Sequence, residues 1–180
     1  MTALPTGLTA GRWTLDAAHT EVGFSVRHAG ISKTRGSFRD VTGTLTLGTS
    51  LQDSQLDATV QIASIDTGNT DRDNHLRGED FFDAEQFPTM TFHASAIDDS
   101  TLAGELSIHG VTRDITFTYE FLGATTDPFG AYRAGFEATA TISRKDFGLT
   151  WNAALEAGGV LVGDKVTIQL SAEFVAPTAS

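Results

Sequence analysis

His19–His28, HTEVGFSVRH, alternates without a break: Val22, Phe24 and Val26 share one face, and Glu21, Gly23, Ser25 and Arg27 share the other. A period of two is the mark of a strand with one buried face. Outward from this stretch the same pattern recurs to both ends of the chain. Arg12–Asp16 reads as a short strand before it, and Ala29–Thr34 as the turn after it. Arg35–Gly48 is a long strand carrying Phe38, Val41, Leu45 and Leu47, with Asp40 and Gly43 marking a bulge or bend. Gln55–Ile62 follows, then Thr89–Ile97 with Met90, Phe92, Ala94 and Ala96 on one face. Leu102–Ile108, Arg113–Leu122, Tyr132–Ile142 and Lys165–Val175 complete the series. The fold class is therefore all-β. Eight long antiparallel strands with short connections close into an eight-stranded barrel without exposed edges. A two-sheet sandwich of the same strands is the competing arrangement.

One stretch breaks the pattern. Ile65–Phe92 is polar and charged, then runs through Phe81-Phe82 and Phe87-Pro88 into the next strand. Thr70-Asp71-Arg72-Asp73 fits a capping box, so a short helix is expected near residues 71–82. An ordered insertion of this kind in a repeating strand pattern predicts a lid over one end of the barrel, with His75 and Leu76 anchoring it.

The whole-chain numbers bound the function. The 180 residues suit one domain with a substantial core, and no repeat or second unit is visible. Twenty-three acids against twelve bases give a net charge of −11, which opposes binding to nucleic acid and general adsorption to anionic membranes. With no cysteine, thiolate catalysis and Cys-bound zinc are excluded. No segment approaches the ~18 apolar residues of a membrane-spanning helix, and the N-terminus lacks a signal-peptide pattern. The chain is accordingly expected in the cytoplasm. The five histidines show no metal-ligand spacing, and Asp71-x-Asp73 lacks the glycine and glutamate of a calcium loop. Asp146-Phe147-Gly148 copies a kinase triplet without the rest of a kinase, and no G-x-S-x-G is present. No metal, cofactor or catalytic residue is expected.

An eight-stranded barrel either fills with side chains or holds one small ligand. Ala58, Ala94, Ala96, Gly104, Ala134, Ala138, Ala140 and Ala172 on the apolar faces leave volume inside. An empty cavity costs about 24 cal/mol per Å³, so persistent space implies an occupant. Small residues that only fit the taper of a filled barrel are the alternative. A tunnel lined by Phe24, Val26, Phe38, Phe82, Met90, Phe92, Phe136, Phe147 and Trp151 would suit an aliphatic or polyene chain. Burying roughly twenty tail carbons at ~0.8 kcal/mol each provides ~16 kcal/mol before ordering and association costs. Arg27–Arg39, RHAGISKTRGSFR, holds four of the twelve bases and no acid. From it His28, Lys33 and Arg35, together with His75 on the helix, are the candidates for a charged headgroup.

Several segments resemble those of a known family. Trp13-Thr14-Leu15-Asp16-Ala17-Ala18-His19-Thr20 with Val22–His28, Asp73-Asn74-His75-Leu76 with Asp80–Asp83, Phe87–Phe92, Gly104–Thr112 and Arg144-Lys145-Asp146-Phe147-Gly148 occur in order over residues 12–175. Together they are similar to the YceI-like family, the bacterial polyisoprenoid-binding, lipocalin-like proteins. The resemblance implies an extended eight-stranded antiparallel barrel at residues 12–175, between a lead-in at 1–11 and a tail at 176–180. It also implies a small helix after the fourth long strand. The tunnel would take isoprenoid lipids such as quinone or polyprenyl-phosphate tails, and in some members other amphiphiles. The family is chiefly one of binding proteins. Many members are periplasmic or secreted, and this chain shows no signal peptide. The expected function is non-catalytic binding, storage or transport of such a lipid. An enzyme acting on the lipid through His28 or His75, and a filled-barrel module that forms a homodimer, are the alternatives.

Overall fold

The computed structural model describes residues 2–156 and 158–178. Of the tail expected at 176–180, residues 179–180 lie outside the described residues, as does residue 1 of the lead-in. Eleven strands and one helix are formed among the described residues. In order they are β1 (Gly11–Leu15), β2 (Glu21–His28), β3 (Ser32–Phe38), β4 (Val41–Leu47), β5 (Gln55–Gln61), β6 (Ile65–Asp66) and α1 (Thr70–Arg77). After the helix come β7 (Thr89–Ile97), β8 (Thr101–Ile108), β9 (Val111–Thr126), β10 (Tyr132–Ser143) and β11 (Val162–Val175).

The ring runs β1-β4-β5-β7-β8-β9-β10-β11 and closes where Thr14 and Leu15 of β1 pair with Val175 and Phe174 of β11. That closure makes an eight-stranded antiparallel barrel and not a sandwich. β2, β3 and β6 prolong β1, β4 and β5, with β2 on β11, β3 on β2 and β6 on β3. Each of these three pairs is one strand with a short interruption. The first is a 3-10 turn over Ala17–His19, where the Asp16 carboxylate accepts from the Ala18 N–H at 3.0 Å. The second is at Arg39-Asp40, where the side-chain phase resets: Phe38 points inward on one side and Val41, Leu45 and Leu47 on the other.

Three expectations need correction. The helix ends at Arg77, well short of residue 82, and its N-cap is Asn69, whose side chain accepts from the Arg72 N–H at 3.0 Å. Gly78 leaves the helix in an extended conformation, which throws Phe81 and Phe82 into the following turns. The helix also follows the third of the eight continuous strands, not the fourth. Ala96 is exposed, because the β7–β8 register slips between Ala94 and Ala96 and sends Ile97 inward in its place. Gly104 permits the close approach at that slip; a Cβ there would lie 2.0 Å from the His93 carbonyl oxygen.

The barrel has two unlike ends. At the lower end, where β1 begins, the N-terminal residues lie across the opening. Leu51 N–H donates to the Thr2 carbonyl at 2.9 Å and the Tyr132 hydroxyl to the Gly7 carbonyl at 2.8 Å. Leu8 is buried with Trp13, Leu45, Leu47, Ala134 and Phe174. At the upper end, α1 and the turns at 78–88 lie near the 3-10 turn Arg144–Phe147 and the segment leading to β11. No helix among the described residues is long and apolar enough to cross a membrane.

Candidate functional site

The inward face of the barrel encloses two apolar cavities, about 150 Å³ in the lower half and about 100 Å³ in the upper half. Val22, Met90 and Ile168 line both, so they form a neck between two chambers. A cavity of about 150 Å³ walled by Leu, Ile and Phe holds an aromatic ring the size of benzene. Each chamber therefore accepts a short apolar segment as it stands. A longer chain needs the neck to widen, and Met90, with its unbranched and polarizable side chain, is the neck residue best able to move.

The candidates divide along this axis. Phe24, Val26, Phe38 and Phe82 line the upper chamber, Phe92 and Phe136 the lower, and Met90 the neck. Gly36 lies opposite Phe24, and a Cβ there would come 2.5 Å from the Phe24 ring, so the glycine leaves room for it. Phe38 meets Phe82 edge to face with centroids 5.9 Å apart, joining the lid turn to the wall. The structure does not bring Phe147 or Trp151 to the tunnel surface. The β9–β10 pairing stops at Thr118–Thr139, and Phe147 is fully buried in the adjoining core. Its carbonyl accepts from His109 Nδ1 at 3.2 Å. Trp151 instead packs on His75 and Phe81, with centroids 4.7 and 5.2 Å apart.

The lid is a polar helix fastened mainly through hydrogen bonds. Buried Asp73 accepts from the N–H and the hydroxyl of Thr67 at 2.9 and 2.5 Å. Arg77 donates to the carbonyls of Ala63 and Ile65. Leu76 is the helix residue that reaches the upper chamber. His75 Nε2 lies 2.8 Å from Asp80. Of the other headgroup candidates, His28 ends β2 on the inward-facing phase, exposed at the upper rim. Lys33 and Arg35 pair with Arg27 and Ser25 on the opposite phase and stand on the outer surface. The strand's alternation separates them from His28.

Among the described residues two titratable side chains touch the chambers, and neither is singled out as a site residue by the sequence. Tyr119 lines the lower one, but its hydroxyl donates to the Asp98 carbonyl at 2.5 Å, and burial raises its pKa above the usual phenol value. Arg144 lines the upper one, buried, with four donor contacts to the carbonyls of Gly163, Leu149, Trp151 and Val162 at 2.6 to 3.2 Å. Desolvation lowers its pKa, while Asp164 at 3.9 Å opposes that shift. Its position at the head of Arg144–Gly148 was the available signal. Asp16, His19 and Glu173 bring ligand atoms close enough to hold a cation, but Arg133 is already there. Its guanidinium lies 2.5 Å from Asp16, 2.6 Å from Asp127 and 3.5 Å from Glu173.

The family model described as a YceI-like domain matches residues 13–174. A protein of Staphylococcus epidermidis named only as a UPF0312 protein is 38% identical over 168 residues, which is 91% of this chain and 96% of that one. The crystal structure of a Campylobacter jejuni YceI protein superposes with a TM-score of 0.68 at 32% identity, covering 91% of this chain and 96% of the other. A polyisoprenoid binding domain from Saccharophagus degradans shares the fold at 15% identity, with a TM-score of 0.68 and 92% and 98% coverage.

Proposed function

The chain belongs to the YceI-like family, and from that premise we propose that it binds an isoprenoid or similar amphiphilic lipid in the barrel, as a carrier or store and without catalysis. The observation that carries this reading is the two-chamber apolar tunnel with Met90 at its neck. The two titratable groups that touch it are both engaged with backbone carbonyls, which favours holding a chain over reacting with it. The polyisoprenoid binding domain with the same fold supports an isoprenoid as the class of ligand. In this reading the tail threads the neck into the lower chamber and the headgroup stays at the upper rim. His28 and His75 are then its candidate contacts, and Lys33 and Arg35 lie farther out on the barrel's outer face.

The test is native mass spectrometry of the protein purified from cells, followed by loading with a polyprenyl phosphate or a quinone. A bound mass matching such a lipid, displaced when Met90→Trp blocks the neck, is the expected result. A protein that stays empty after loading, with the Met90→Trp variant indistinguishable from wild type, overturns the reading. Turnover of the loaded lipid to a new product would favour the enzymatic alternative.

A further inference from the structure

We propose that the β2–β3 hairpin docks the upper end of the barrel on an anionic lipid bilayer. The hairpin turns through Ala29-Gly30-Ile31, with Ala29 and Gly30 at φ of 54° and 70°. Ile31 projects at its tip with 86% of its surface exposed. The Ala29 N–H donates to the Leu161 carbonyl at 2.7 Å, which ties the tip to the segment carrying Val160, a second exposed aliphatic side chain. Neither side chain belongs to the apolar core of the barrel.

Around them stand Arg27, Lys33 and Arg35, all exposed and, among the described residues, without an ion pair or side-chain hydrogen bond. The fourth base of the stretch, Arg39, is held by Asp66 at 2.9 Å. The nearest acids along the neighbouring segment are Glu156 and Asp164, and Asp164 is engaged by Lys145 at 3.3 Å. In a chain of net charge −11 these three bases stand out by their grouping on one hairpin, with no acid between Arg27 and Arg39. At physiological ionic strength charges interact over roughly 8 Å, so attraction to these bases is short-ranged and strengthens as salt is lowered. Three bases on the outer face of a hairpin with an exposed aliphatic tip match an anionic headgroup layer above an apolar interior. Nucleic acid would use the bases and leave Ile31 without a role.

The inference stands on the hairpin's own chemistry and does not depend on lipid in the tunnel. It is tested by flotation of the full chain with vesicles of phosphatidylglycerol and phosphatidylcholine, against vesicles of phosphatidylcholine alone, at low and physiological salt. Each attracted base contributes enough that R27Q/K33Q/R35Q should lower partition about a hundredfold. Ile31→Ser should lower it about tenfold by removing the inserted side chain. Wild type is expected to float with the anionic vesicles and to be released by salt. Equal flotation with both vesicles, or a triple variant that floats like wild type, overturns the proposal. So does binding to single-stranded RNA that the triple variant loses and Ile31→Ser leaves unchanged. Bound-lipid mass measured on the same preparations reports the tunnel separately, so an empty barrel that still docks, or a loaded one that does not, identifies which inference failed.

Discussion

The two ends of the barrel are closed by different physics. The lower end is closed by chain that belongs to the wall: residues 2–9 run directly into β1, and backbone and side-chain hydrogen bonds tie them to Leu51, Gln52 and Tyr132. Just above them Arg133 bridges Asp16, Asp127 and Glu173. The upper end is closed by excursions from the wall. A helix of eight residues, whose one cavity contact is Leu76, meets the segment after Arg144 where Trp151 packs edge to face on His75 and tilted on Phe81 of the following turn. Opening the lower end means stripping buried aliphatic surface and breaking long-range pairing. Opening the upper end parts Leu76, Phe81 and Phe82 from the upper chamber and leaves the β1–β11 closure intact. Elements held outside the strand ladder open at lower free energy than the ladder itself, so the upper end is the portal in this reading.

The strongest way to break that comparison is Arg144→Met. Arg144 is the exception at the upper end, a buried cation whose four donor contacts hold the carbonyls of Leu149, Trp151, Val162 and Gly163. Methionine fills the volume and leaves those acceptors unsatisfied, for an expected loss of about 3–5 kcal/mol in urea unfolding. Amide exchange should rise over 149–163 ahead of the rest of the chain. A loss below about 1 kcal/mol would mean that water replaces the guanidinium and that the portal segment is not held by it.

A pair of truncations compares the two ends directly. Leu8→Ala removes a buried side chain at the lower end and should cost about 2–3 kcal/mol while leaving lipid release unchanged. Phe82→Ala removes a half-buried ring that joins the lid to Phe38. Its expected stability cost is smaller, about 1–2 kcal/mol, with release of bound lipid about tenfold faster in a transfer assay. If Leu8→Ala speeds release and Phe82→Ala does not, the portal is at the lower end.

How much of this was legible in the sequence follows the same division. The walls were legible because alternation is a local property: Val22, Phe24 and Val26 announce β2, and Ala134, Phe136 and Ala138 announce β10. Where the pattern is reset by a partner strand it was not legible. Nothing local to Ser95-Ala96 signals the slip against β8, and nothing in Arg39-Asp40 states which phase β4 will take. The chambers were visible through Phe24, Phe38, Met90, Phe92 and Phe136, since residues on the inward phase of paired strands must face the interior. The closures were harder to read. Phe147 and Trp151 sit on irregular chain, where no period tells a side chain bound for the core from one bound for a tunnel. Leu8 lies in a lead-in whose order depends on Tyr132, far along the chain.

The smallest expected effect separates the ends by acid. Asp16 has its pKa lowered to about 2, first by the Arg133 side chain and then by His19, while partial burial opposes the shift. Asp127 is lowered in the same direction, also chiefly by Arg133. A carboxyl depressed in the folded state favours folding while it is ionised in both states, above the unfolded value of about 4. That contribution fades as pH falls through the interval down to about 2, so acid weakens the lower end. Asp16→Asn removes the titrating group and the ion pair together. Its cost at neutral pH should be about 1 kcal/mol, because the pair is partly solvated and screened. The difference from wild type should shrink between pH 4 and pH 2 and nearly vanish at the acid end. A gap that stays constant across that interval would show that the junction is held by packing around Trp13 and Phe174, with the ion pairs as ornament on it. The segment after Arg144, where the guanidinium's acceptors are backbone carbonyls and not carboxylates, should keep its exchange protection through the same acid range until the whole barrel unfolds.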